Sequence, residues 1–373
     1  MSVSLLYLVS HPIQYQAPLL RRIADEPGID LRVLFAHDTS SGYHDIGFGR
    51  HIRWDGDSPL REGYTSRVAT YASLWPEISR CDVLWIHGWQ GPLFWVALLL
   101  ARTMGKPVLM RGENTLCAMP DGQGMRQWIK RLYLKAIFSC CSLFLTIGSD
   151  NRAYYLAHGV PSERLIPMPY AIDNDRFSQA ALTARPDRLA LRRHLGLPED
   201  RPIILFAGKL TARKRPDLLL QAWKSAPWRA QKPVLLFVGD GQLLSDLKAW
   251  SDEDVYFSGF VNQSALPAYY DLADIFVLPS VREPWGLAVN EAMACGTPVI
   301  VSDQVGAAND LVDGATGIVV PADDALALGL AMAELLGRAS EAGRAAHATI
   351  MGWGYREDVQ GLHRALRTLG FSS

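Results

Sequence analysis

Two glutamates lie eight positions apart in the stretch EPWGLAVNEAMACGTP (283–298). Glu283 follows the apolar run DIFVLPS, and Glu291 lies inside a segment that favours a helix. Paired carboxylates can hydrolyse glycosidic bonds, bind a metal ion or hold hydroxyl groups, and they can also be solvated surface charges. The spacing alone leaves these alternatives open, so the neighbouring residues must decide between them.

Two lysines follow another apolar run in the same half of the chain. Lys209 comes directly after Gly208, where the backbone can approach a ligand closely, and Lys214 precedes the helical pattern PDLLLQAW. Compact ammonium groups of this kind suit phosphate oxygens. Taken alone, the basic cluster 213–215 would favour a solvated loop.

The turn between the two glutamates predicts a helix whose N-terminus faces a ligand. Pro284 blocks continuation of any preceding helix, and Gly286 frees the backbone just before LAVNEAMA. The unpaired N–H groups and partial positive charge at such a terminus suit a diphosphate. With a rise of about 1.5 Å per residue, Glu291 would lie roughly 7 Å further along the helix, at a different depth of the pocket.

Three other patterns are weaker evidence for a functional site. Gly239-Asp240-Gly241 begins like a dinucleotide fingerprint but lacks its third glycine, which favours a plain turn over a nicotinamide site. Asp-x-Asp triplets occur at 55–57, 173–175 and 252–254, but in polar turns or the connector between domains, so we predict no metal site. A glycosidase pair needs facing carboxyl groups about 5–10 Å apart, and it would leave the two lysines unexplained.

Size and composition indicate a two-domain globular protein. The chain has 373 residues, 49% of them hydrophobic and 20% charged, with a net charge of −1. This balance gives no strong field for nucleic acid, and no nucleic-acid partner is predicted. The five cysteines form no C-x-x-C pair, which favours reduced thiols in a cytosolic protein. The N-terminus becomes polar at Ser10, as in a first strand rather than a signal peptide.

Short apolar runs alternate with helical patterns, which is typical of parallel βαβ units. The predicted strands lie in 5–9, 31–36, 82–88, 107–113, 143–149, 202–210, 233–241, 255–260, 274–280 and 297–303. The run PLFWVALLLA (92–101) is about half as long as a membrane span and predicts a buried helix. A polar connector at 173–202 separates the two series of strands, and one more helix is predicted from Tyr355 to Leu369. The fold class is therefore α/β, with two doubly wound domains whose ligands lie beyond the carboxyl ends of the strands.

The motifs GKLTARK, VGDGQ, SGFV, LADIFVLPS and REPWGLAVNEAMACGTPVIVSD, in this order, resemble those of the family 4 glycosyltransferases. HGVPSERLIPMPYAIDNDRF (158–177) resembles the interdomain passage of that family, which more often has Asn-Gly in place of Tyr170-Ala171. The resemblance covers roughly residues 140–320 and, before them, only the layout of the strands. It implies a GT-B fold with two facing Rossmann-like domains, an acceptor-side domain at 1–172 and a donor-binding domain at 173–354. The helix within 355–373 would cross back to the first domain.

The resemblance assigns the phosphate and sugar contacts by position. Lys209, where the family more often has arginine, and Lys214 would hold the donor diphosphate. Glu283 would bond the sugar hydroxyls and is the first catalytic candidate. The backbone amides of Gly286 and Leu287 would lie near the phosphate.

The resemblance also assigns the nucleoside contacts. Glu291 would take the ribose hydroxyls, while Phe260 and Val261 would lie beside the base. For these two apolar residues a place in the core is an equal alternative.

The first half departs from the family pattern at two loops. Many relatives have a glycine-rich loop where this chain has Ser10–Gln14, and a histidine near the reacting carbon where it has Arg111–Asn114. We expect His11 and Glu113 on the acceptor side, where either could orient or deprotonate the acceptor hydroxyl. The alternatives are a helix cap at His11 and a surface ion pair at Glu113.

Two further residues of the first half end predicted strands. Arg111 is included among the substrate-binding candidates. His87 follows the run DVLWI and is predicted to be a packed histidine.

The segment GMRQWIKRLYLKAIF (124–138) places an apolar stripe on one side of a helix and four basic residues elsewhere. Two interpretations are open, an interfacial helix on anionic lipid or a helix packed on its own sheet with a solvated basic face. Because relatives that build bacterial polysaccharides often use lipid-linked acceptors, the resemblance favours peripheral contact with the inner membrane surface. The expected location is cytoplasmic.

Together these observations predict a retaining, metal-independent glycosyltransferase. It would move a sugar from a nucleoside diphosphate donor to a hydroxyl of a glycan or a lipid-linked acceptor, in surface polysaccharide biosynthesis, without a cofactor. A nucleotide-sugar epimerase of the same fold and a non-catalytic nucleotide-sugar binding partner are the alternatives.

Overall fold

The computed structural model describes residues 2–39, 42–45, 47–52, 60–120, 122, 124–228 and 233–371. It divides the chain into two compact units. Unit 1 comprises Met1–Gly42, Gly56–Tyr170 and Tyr355–Ser373, and unit 2 comprises Tyr43–Asp55 and Ala171–Gly354. The segment Tyr43–Asp55 therefore belongs to unit 2, whereas the predicted first domain, 1–172, included it.

The described residues form a series of short strands and helices. The strands are β1 (Val3–Val9), β2 (Ile29–Phe35), β3 (Tyr43–Asp45), β4 (Arg50–Ile52), β5 (Thr65–Val68), β6 (Val83–His87), β7 (Val108–Arg111), β8 (Leu143–Thr146), β9 (Leu165–Pro167), β10 (Ile203–Ala207), β11 (Val234–Val238), β12 (Val255–Gly259), β13 (Ile275–Leu278), β14 (Val299–Ser302) and β15 (Gly317–Val320). The α-helices are α1 (Gln16–Ala24), α2 (Tyr71–Arg80), α3 (Pro92–Thr103), α4 (Met125–Ser139), α5 (Ser149–Ala157), α6 (Asn174–Ala184), α7 (Arg188–His194), α8 (Pro216–Ser225), α9 (Leu244–Trp250), α10 (Leu266–Leu272), α11 (Leu287–Ala294), α12 (Ala308–Leu311), α13 (Ala325–Leu336), α14 (Ala339–Ile350) and α15 (Tyr355–Thr368).

Unit 1 is built on a parallel sheet with the strand order β5-β2-β1-β6-β7-β8-β9. The order reverses between β1 and β6, which are hydrogen-bonded neighbours in the register Leu5↔Val83 to Leu8↔Ile86. The final helix α15 packs in this unit, and a Cβ atom at Gly361 would lie 2.4 Å from Pro167 O. The prediction that the last helix returns to the first domain is therefore confirmed.

Unit 2 has its own parallel sheet, in the order β12-β11-β10-β13-β14-β15. All five residues of β10 and of β11 are buried, since helices cover both faces of the sheet. The order reverses between β10 and β13. In open α/β sheets this reversal leaves a crevice beyond the carboxyl ends of the two strands, where ligands bind.

Three predictions about local structure need correction. The connector predicted at 173–202 is largely helical, because Asp173 caps α6 by accepting from Arg176 N at 3.1 Å and α7 follows. The run 92–101 does form a helix, α3, but Trp95 and Leu99 lie on an exposed face. Two strands, β3 and β4, form an antiparallel hairpin that the sequence interpretation did not find.

Candidate functional site

The loops that follow β10 and β13 bring opposite charges together at the reversal point of the unit 2 sheet. Lys214 Nζ donates to Glu283 Oε2 at 2.6 Å, and Arg213 Nη1 lies 3.4 Å from the same oxygen. The Glu283 side chain is 9% exposed and that of Lys214 is 13% exposed, so water screens the pair only partly. The lysine expected at the diphosphate and the glutamate expected at the sugar are thus in direct contact in the structure.

Close backbone packing holds the Glu283 loop in place. Its N–H donates to Gln304 O and its carbonyl accepts from Gly306 N, both at 3.0 Å. A Cβ atom at Gly306 would lie 2.1 Å from Pro284 O, so only glycine allows this approach. Gly286 has a φ of 93° and begins α11, which runs from Leu287. The first turn of α11 therefore follows Glu283 directly, as predicted.

Lys209 contacts the β3–β4 hairpin of unit 2. Its Nζ donates to Asp45 Oδ2 at 2.8 Å, and a Cβ atom at Gly47 would lie 2.5 Å from Lys209 Cδ. Asp45 Oδ1 also accepts from Gly47 N and Phe48 N at 2.8 and 3.1 Å. Burial would raise the pKa of Asp45, but the Lys209 hydrogen bond and these amides outweigh it and lower that pKa. The lysine predicted to hold phosphate is thus neutralised by a carboxylate.

Phe260 packs against the same hairpin rather than inside the sheet. Its ring meets that of Phe48 edge-on at 5.2 Å between centroids, and Arg50 Cζ lies 5.1 Å from its centroid. Arg50 Nη1 is also 3.9 Å from Asp240 Oδ2. Phe260 and Val261 are both half-buried, so neither belongs to the fully buried core.

Glu291 lies deeper than Glu283, on the second turn of α11. It is 2% exposed, and Tyr270 of α10 donates to its Oε2 at 2.7 Å. The two carboxylates bind different partners, Lys214 at Glu283 and Tyr270 at Glu291. The ribose contact of Glu291 stays a prediction.

The Gly239-Asp240-Gly241 turn has a packing role. A Cβ atom at Gly239 would lie 1.9 Å from Gly208 O, and one at Gly241 would lie 2.6 Å from Leu210 O. Leu210 N donates to Asp240 O at 2.9 Å, which joins the turn to the loop after β10. These glycines allow two neighbouring loops to touch, as expected for a turn.

A cluster of polar groups follows the carboxyl ends of the unit 1 strands. His87 Nδ1 lies 3.0 Å from Tyr7 Oη and 3.2 Å from Gln16 Nε2, while His87 Nε2 lies 3.5 Å from Glu113 Oε1. Tyr170 donates to the same Glu113 oxygen at 2.5 Å. The sequence interpretation took His87 for a packed histidine. Its position at a strand end, next to the reversal between β1 and β6, was the signal available.

The pKa shifts in this cluster oppose each other. Burial raises the pKa of Tyr7 and that of Tyr170 well above the usual range, so both phenols keep their protons. Burial also acts to raise the pKa of Glu113, but hydrogen bonds from His87 and Tyr170 outweigh it and lower that pKa. The cluster therefore presents one ionised carboxylate that His87 and Tyr170 contact.

His11 lies in the loop after β1, where its Nδ1 is 2.8 Å from Ser10 Oγ. Burial lowers its pKa, and the nearby His37 and His87 rings lower it further. The ring is therefore neutral near pH 7 and can accept a proton. Its role at an acceptor stays a prediction.

Arg111, a predicted substrate contact, is enclosed in unit 1. Its side chain is 2% exposed and donates to Asp358 of α15 at 3.0 and 3.3 Å and to Met168 O and Pro169 O at 3.3 and 3.1 Å. Burial raises the pKa of Asp358 to about 6, against the opposing effect of the Arg111 charge. In this structure the guanidinium holds α15 against the end of β7. A direct contact with substrate would require this ion pair to open.

The Asp-x-Asp triplets show no common site. Asp173 caps α6, and Asp252 and Asp254 pair with Lys224 and Arg201. The triplet 55–57 lies outside the described residues. Among the described residues, no group of three or more His, Cys, Asp or Glu side chains could hold a metal ion.

Helix α4 exposes the apolar stripe that its sequence predicts. Met125, Trp128 and Ile129 are 76%, 63% and 54% exposed, and the helix packs instead through Leu134, Ile137 and Phe138. The stripe itself does not pack on the sheet, because α4 buries a different face, and the contact of the stripe with lipid stays a prediction. Within the described part of the chain, no helix combines the length and apolar character needed to cross a bilayer.

Known proteins are similar to this chain in sequence or in fold. The model of the family described as glycosyl transferases group 1 matches residues 187–349. A D-inositol 3-phosphate glycosyltransferase of Xylanimonas cellulosilytica is 32% identical over 296 residues, which cover 74% of this chain and 69% of that protein. A GDP-mannose-dependent alpha-(1-6)-phosphatidylinositol monomannoside mannosyltransferase of Mycolicibacterium smegmatis is 30% identical over 221 residues, 56% of each chain.

A solved structure supports the fold over nearly the whole length. Anabaena Alr3699/HepE, in complex with UDP, aligns with 98% of this chain and 100% of its own, with a TM-score of 0.75 and 15% identity. At this identity the likeness concerns the fold alone.

Proposed function

The chain belongs to the group 1 glycosyl transferases and is a glycosyltransferase of the predicted GT-B fold, and from this premise we propose the reaction and the roles of its residues. It moves a sugar, with retention of anomeric configuration, from a nucleoside diphosphate donor to a hydroxyl of a glycan or lipid-linked acceptor. The observation that carries this proposal is the Lys214–Glu283 contact at the reversal point of the unit 2 sheet. The family model spans both residues.

On unit 2, the donor diphosphate is met by cations instead of a metal ion. Lys209 and Lys214 place two ammonium groups on the loop after β10, and the amides of Gly286 and Leu287 begin α11 beside Glu283. Such groups stabilise the negative charge that develops on a leaving diphosphate. Lys214 exchanges its contact with Glu283 for a phosphate oxygen, which releases the Glu283 carboxylate to bind sugar hydroxyls. Glu291 takes the ribose, and Phe260 and Val261 border the base.

On unit 1, the acceptor hydroxyl is oriented by His11 and Glu113. The pKa of His11 is lowered and that of Glu113 is lowered as well, so the neutral imidazole and the ionised carboxylate can each accept a hydrogen bond from the acceptor hydroxyl at neutral pH. His87 and Tyr170 hold the Glu113 carboxylate from two sides. The epimerase and the non-catalytic binding partner are not favoured, because the relatives are named as glycosyltransferases.

The test is the variant Glu283→Gln, assayed by release of nucleoside diphosphate and by mass of the glycosylated product. We expect turnover to fall by about a hundredfold or more, with folding unchanged. Glu334→Gln serves as the matched control, since that glutamate pairs with Arg338 on the exposed side of α13. Wild-type transfer by Glu283→Gln would overturn the assignment.

Two further measurements test the retention of configuration and the independence from a metal ion. The anomeric configuration of the product, measured by NMR, decides between retention and inversion. Activity after dialysis against EDTA decides whether a metal ion is needed, and full activity is expected.

We also propose that the exposed stripe of α4 lies on an anionic membrane surface. Its apolar residues are flanked by the exposed cations Arg126, Arg131 and Lys135, which complement acidic headgroups. Trp128→Ser should lower the affinity for phosphatidylglycerol vesicles, measured by co-sedimentation, by about tenfold. Trp250→Ser, which changes an equally exposed tryptophan of α9, should have no effect. Equal binding by the two variants would remove this surface from the proposal.

A further inference from the structure

Lys209, one of the two lysines assigned to the donor diphosphate, is held by the β3–β4 hairpin of unit 2. Its Nζ donates to Asp45 Oδ2 at 2.8 Å and lies 5.2 Å from the centroid of the Phe48 ring. A carboxylate and the face of an aromatic ring both attract an ammonium group. The hairpin therefore supplies its own binding place for this lysine, at the carboxyl end of β10.

The hairpin also fits the hydrocarbon part of the lysine side chain. A Cβ atom at Gly47 would lie 2.5 Å from Lys209 Cδ, so a larger residue at position 47 would move the lysine. The Lys209 side chain is nevertheless 36% exposed, whereas that of Asp45 is 7% exposed. The lysine is thus accessible to a ligand, while the carboxylate is covered.

Asp45 is fixed by contacts of its own. Its Oδ1 accepts from Gly47 N at 2.8 Å and from Phe48 N at 3.1 Å, while its Oδ2 contacts Lys209. Burial acts to raise the pKa of Asp45, but the Lys209 contact and these amides lower it overall, so the group is ionised at pH 7. Because lysine has a flexible four-carbon stem, Lys209 is the partner of this pair that can move.

Two further contacts extend the hairpin along the edge of the sheet where the donor is proposed to bind. Phe48 meets Phe260 edge-on at 5.2 Å between centroids, and Arg50 Nη1 lies 3.9 Å from Asp240 Oδ2. Asp240 follows β11 and Phe260 follows β12, the two strands that come after β10 in the sheet order. The hairpin therefore contacts the carboxyl ends of three neighbouring strands, where ligands of open α/β sheets bind.

A phosphate group at Lys209 would meet the charge of Asp45. Lys209 carries one positive charge, which the carboxylate already neutralises. A phosphate can draw the ammonium group away from Asp45, or it can bind beside the fixed carboxylate and be repelled by it. In both cases the presence of Asp45 lowers the affinity for the phosphate.

We propose that Asp45 is an internal counterion of Lys209 that the donor diphosphate must displace, so that the hairpin weakens nucleotide binding. This inference rests on the proposed role of Lys209 at the diphosphate. The nucleoside diphosphate left after sugar transfer carries the same two phosphate groups. Renewed pairing of Asp45 with Lys209 therefore favours its release, a step that limits turnover in many enzymes.

The experiment is a calorimetric titration of the full chain with UDP, GDP, ADP, CDP and dTDP, continued with the nucleotide that binds most tightly. Asp45→Asn keeps the shape of the side chain and removes its charge. It should tighten binding about two- to fivefold, the effect of removing the competition of one partly exposed ion pair. Asp252→Asn is the matched control and should leave the affinity unchanged, because it breaks another Lys–Asp pair of unit 2, with Lys224, before the amino end of β12.

A second variant separates the charge of Asp45 from the shape of the hairpin. Asp45→Glu disturbs the same contacts but keeps the charge, so it should not tighten binding. Equal tightening by Asp45→Glu and Asp45→Asn would overturn the inference, because a loosened hairpin would then be the cause. Hydrogen exchange of residues 43–52 shows whether each variant keeps the hairpin folded.

The remaining outcomes distinguish this inference from the proposed function. Unchanged or weaker binding by Asp45→Asn, together with the loss of affinity expected for Lys214→Ala, would overturn the role of Asp45 and leave the donor site in place. If the wild type bound none of the five nucleotides, the donor site and the counterion would both be overturned.

Discussion

The two sheets place polar groups at the same topological position but use different chemistry there. Both are parallel and reverse their strand order once, and functional candidates follow the carboxyl ends of the strands in each. In unit 2 these groups are largely buried ions, such as Lys214 and Glu283. In unit 1 they are phenol, amide and imidazole groups around Glu113, and the same unit holds a buried ion pair, Arg111–Asp358.

This difference shows that topology decides where a site lies and local sequence decides what it can bind. The ions of unit 2 come from two short loops, and an anionic ligand can take the place of the carboxylate in such a pair. The unit 1 groups are already bonded to one another, which suits the orientation of a neutral hydroxyl. The expected effects of substitution therefore differ between the two regions, in stability for the Arg111–Asp358 pair of unit 1 and in binding for the ions of unit 2.

The largest effect is expected at the buried ion pair. Asp358→Ala leaves the Arg111 charge buried without a partner and should lower the free energy of unfolding of unit 1 by about 3–5 kcal/mol. Urea denaturation followed by hydrogen exchange in unit 1 measures this loss. Glu357→Ala, which removes a surface partner of Arg356, should cost less than about 1 kcal/mol. A loss in Asp358→Ala no larger than in this control would contradict the structural role of the pair.

The second largest effect is expected at the ions of unit 2. Lys214→Ala should raise the dissociation constant of nucleoside diphosphates by about ten- to a hundredfold, since a charge-assisted hydrogen bond contributes about 1.5–3 kcal/mol. Calorimetry with UDP and GDP measures it. Lys224→Ala, which affects the Asp252 pair, is the control and should bind normally. Unchanged affinity for every nucleotide that the wild type binds would separate this lysine from the donor.

A smaller effect is expected in the unit 1 cluster. Glu113→Gln keeps the shape but removes the charge that His87 and Tyr170 contact, so kcat/KM for the acceptor should fall about tenfold while the KM for the donor stays the same. Steady-state kinetics with each substrate varied in turn distinguish the two. Glu163→Gln changes a glutamate on the surface of the same unit and should leave both kinetic constants unchanged. A change confined to the donor KM would contradict an acceptor role.

The smallest effect is expected at the hairpin. The lowered pKa of Asp45 means that its contact with Lys209 stabilises the fold above the unfolded value of 3.8 and is lost as pH falls below it. Because the Lys209 side chain is 36% exposed, Asp45→Asn should cost only about 0.5–1 kcal/mol near pH 7, with no cost well below the folded pKa. Hydrogen exchange of residues 43–52, followed as a function of pH, measures this loss of stability. Asp38→Asn, which changes a carboxylate that pairs with Arg61 in unit 1, is the control. A cost independent of pH would show that the ion pair is not its cause.

Much of the unit 2 site could be predicted because its signals are local. Buried parallel strands are continuous apolar runs, and the residues after them, such as Gly208, Lys214 and Glu283, lie at the carboxyl end of the sheet by necessity. The glycines also carry information, since Gly286 and Gly306 occur where a side chain would not fit. The family, the fold class and the return of the last helix were predicted from such features.

Contacts between residues far apart in the chain could not be predicted in this way. Asp358 binds Arg111 across 247 positions, and Asp45 binds Lys209 across 164. Neither pairing leaves a periodic or spaced pattern, because each depends on which elements pack together. The partners of His87 could not be predicted for the same reason, because they come from separate elements.

The amino-acid sequence by itself therefore determined the strands, their ends and the kinds of chemical group found there. Only the tertiary structure decided which of those groups are enclosed. It buried Arg111 against α15, covered Lys209 with the β3–β4 hairpin and exposed the apolar stripe of α4. The physical reason is that helix and strand formation follow from neighbouring residues, whereas the burial of a side chain is set by the elements that the whole chain brings over it.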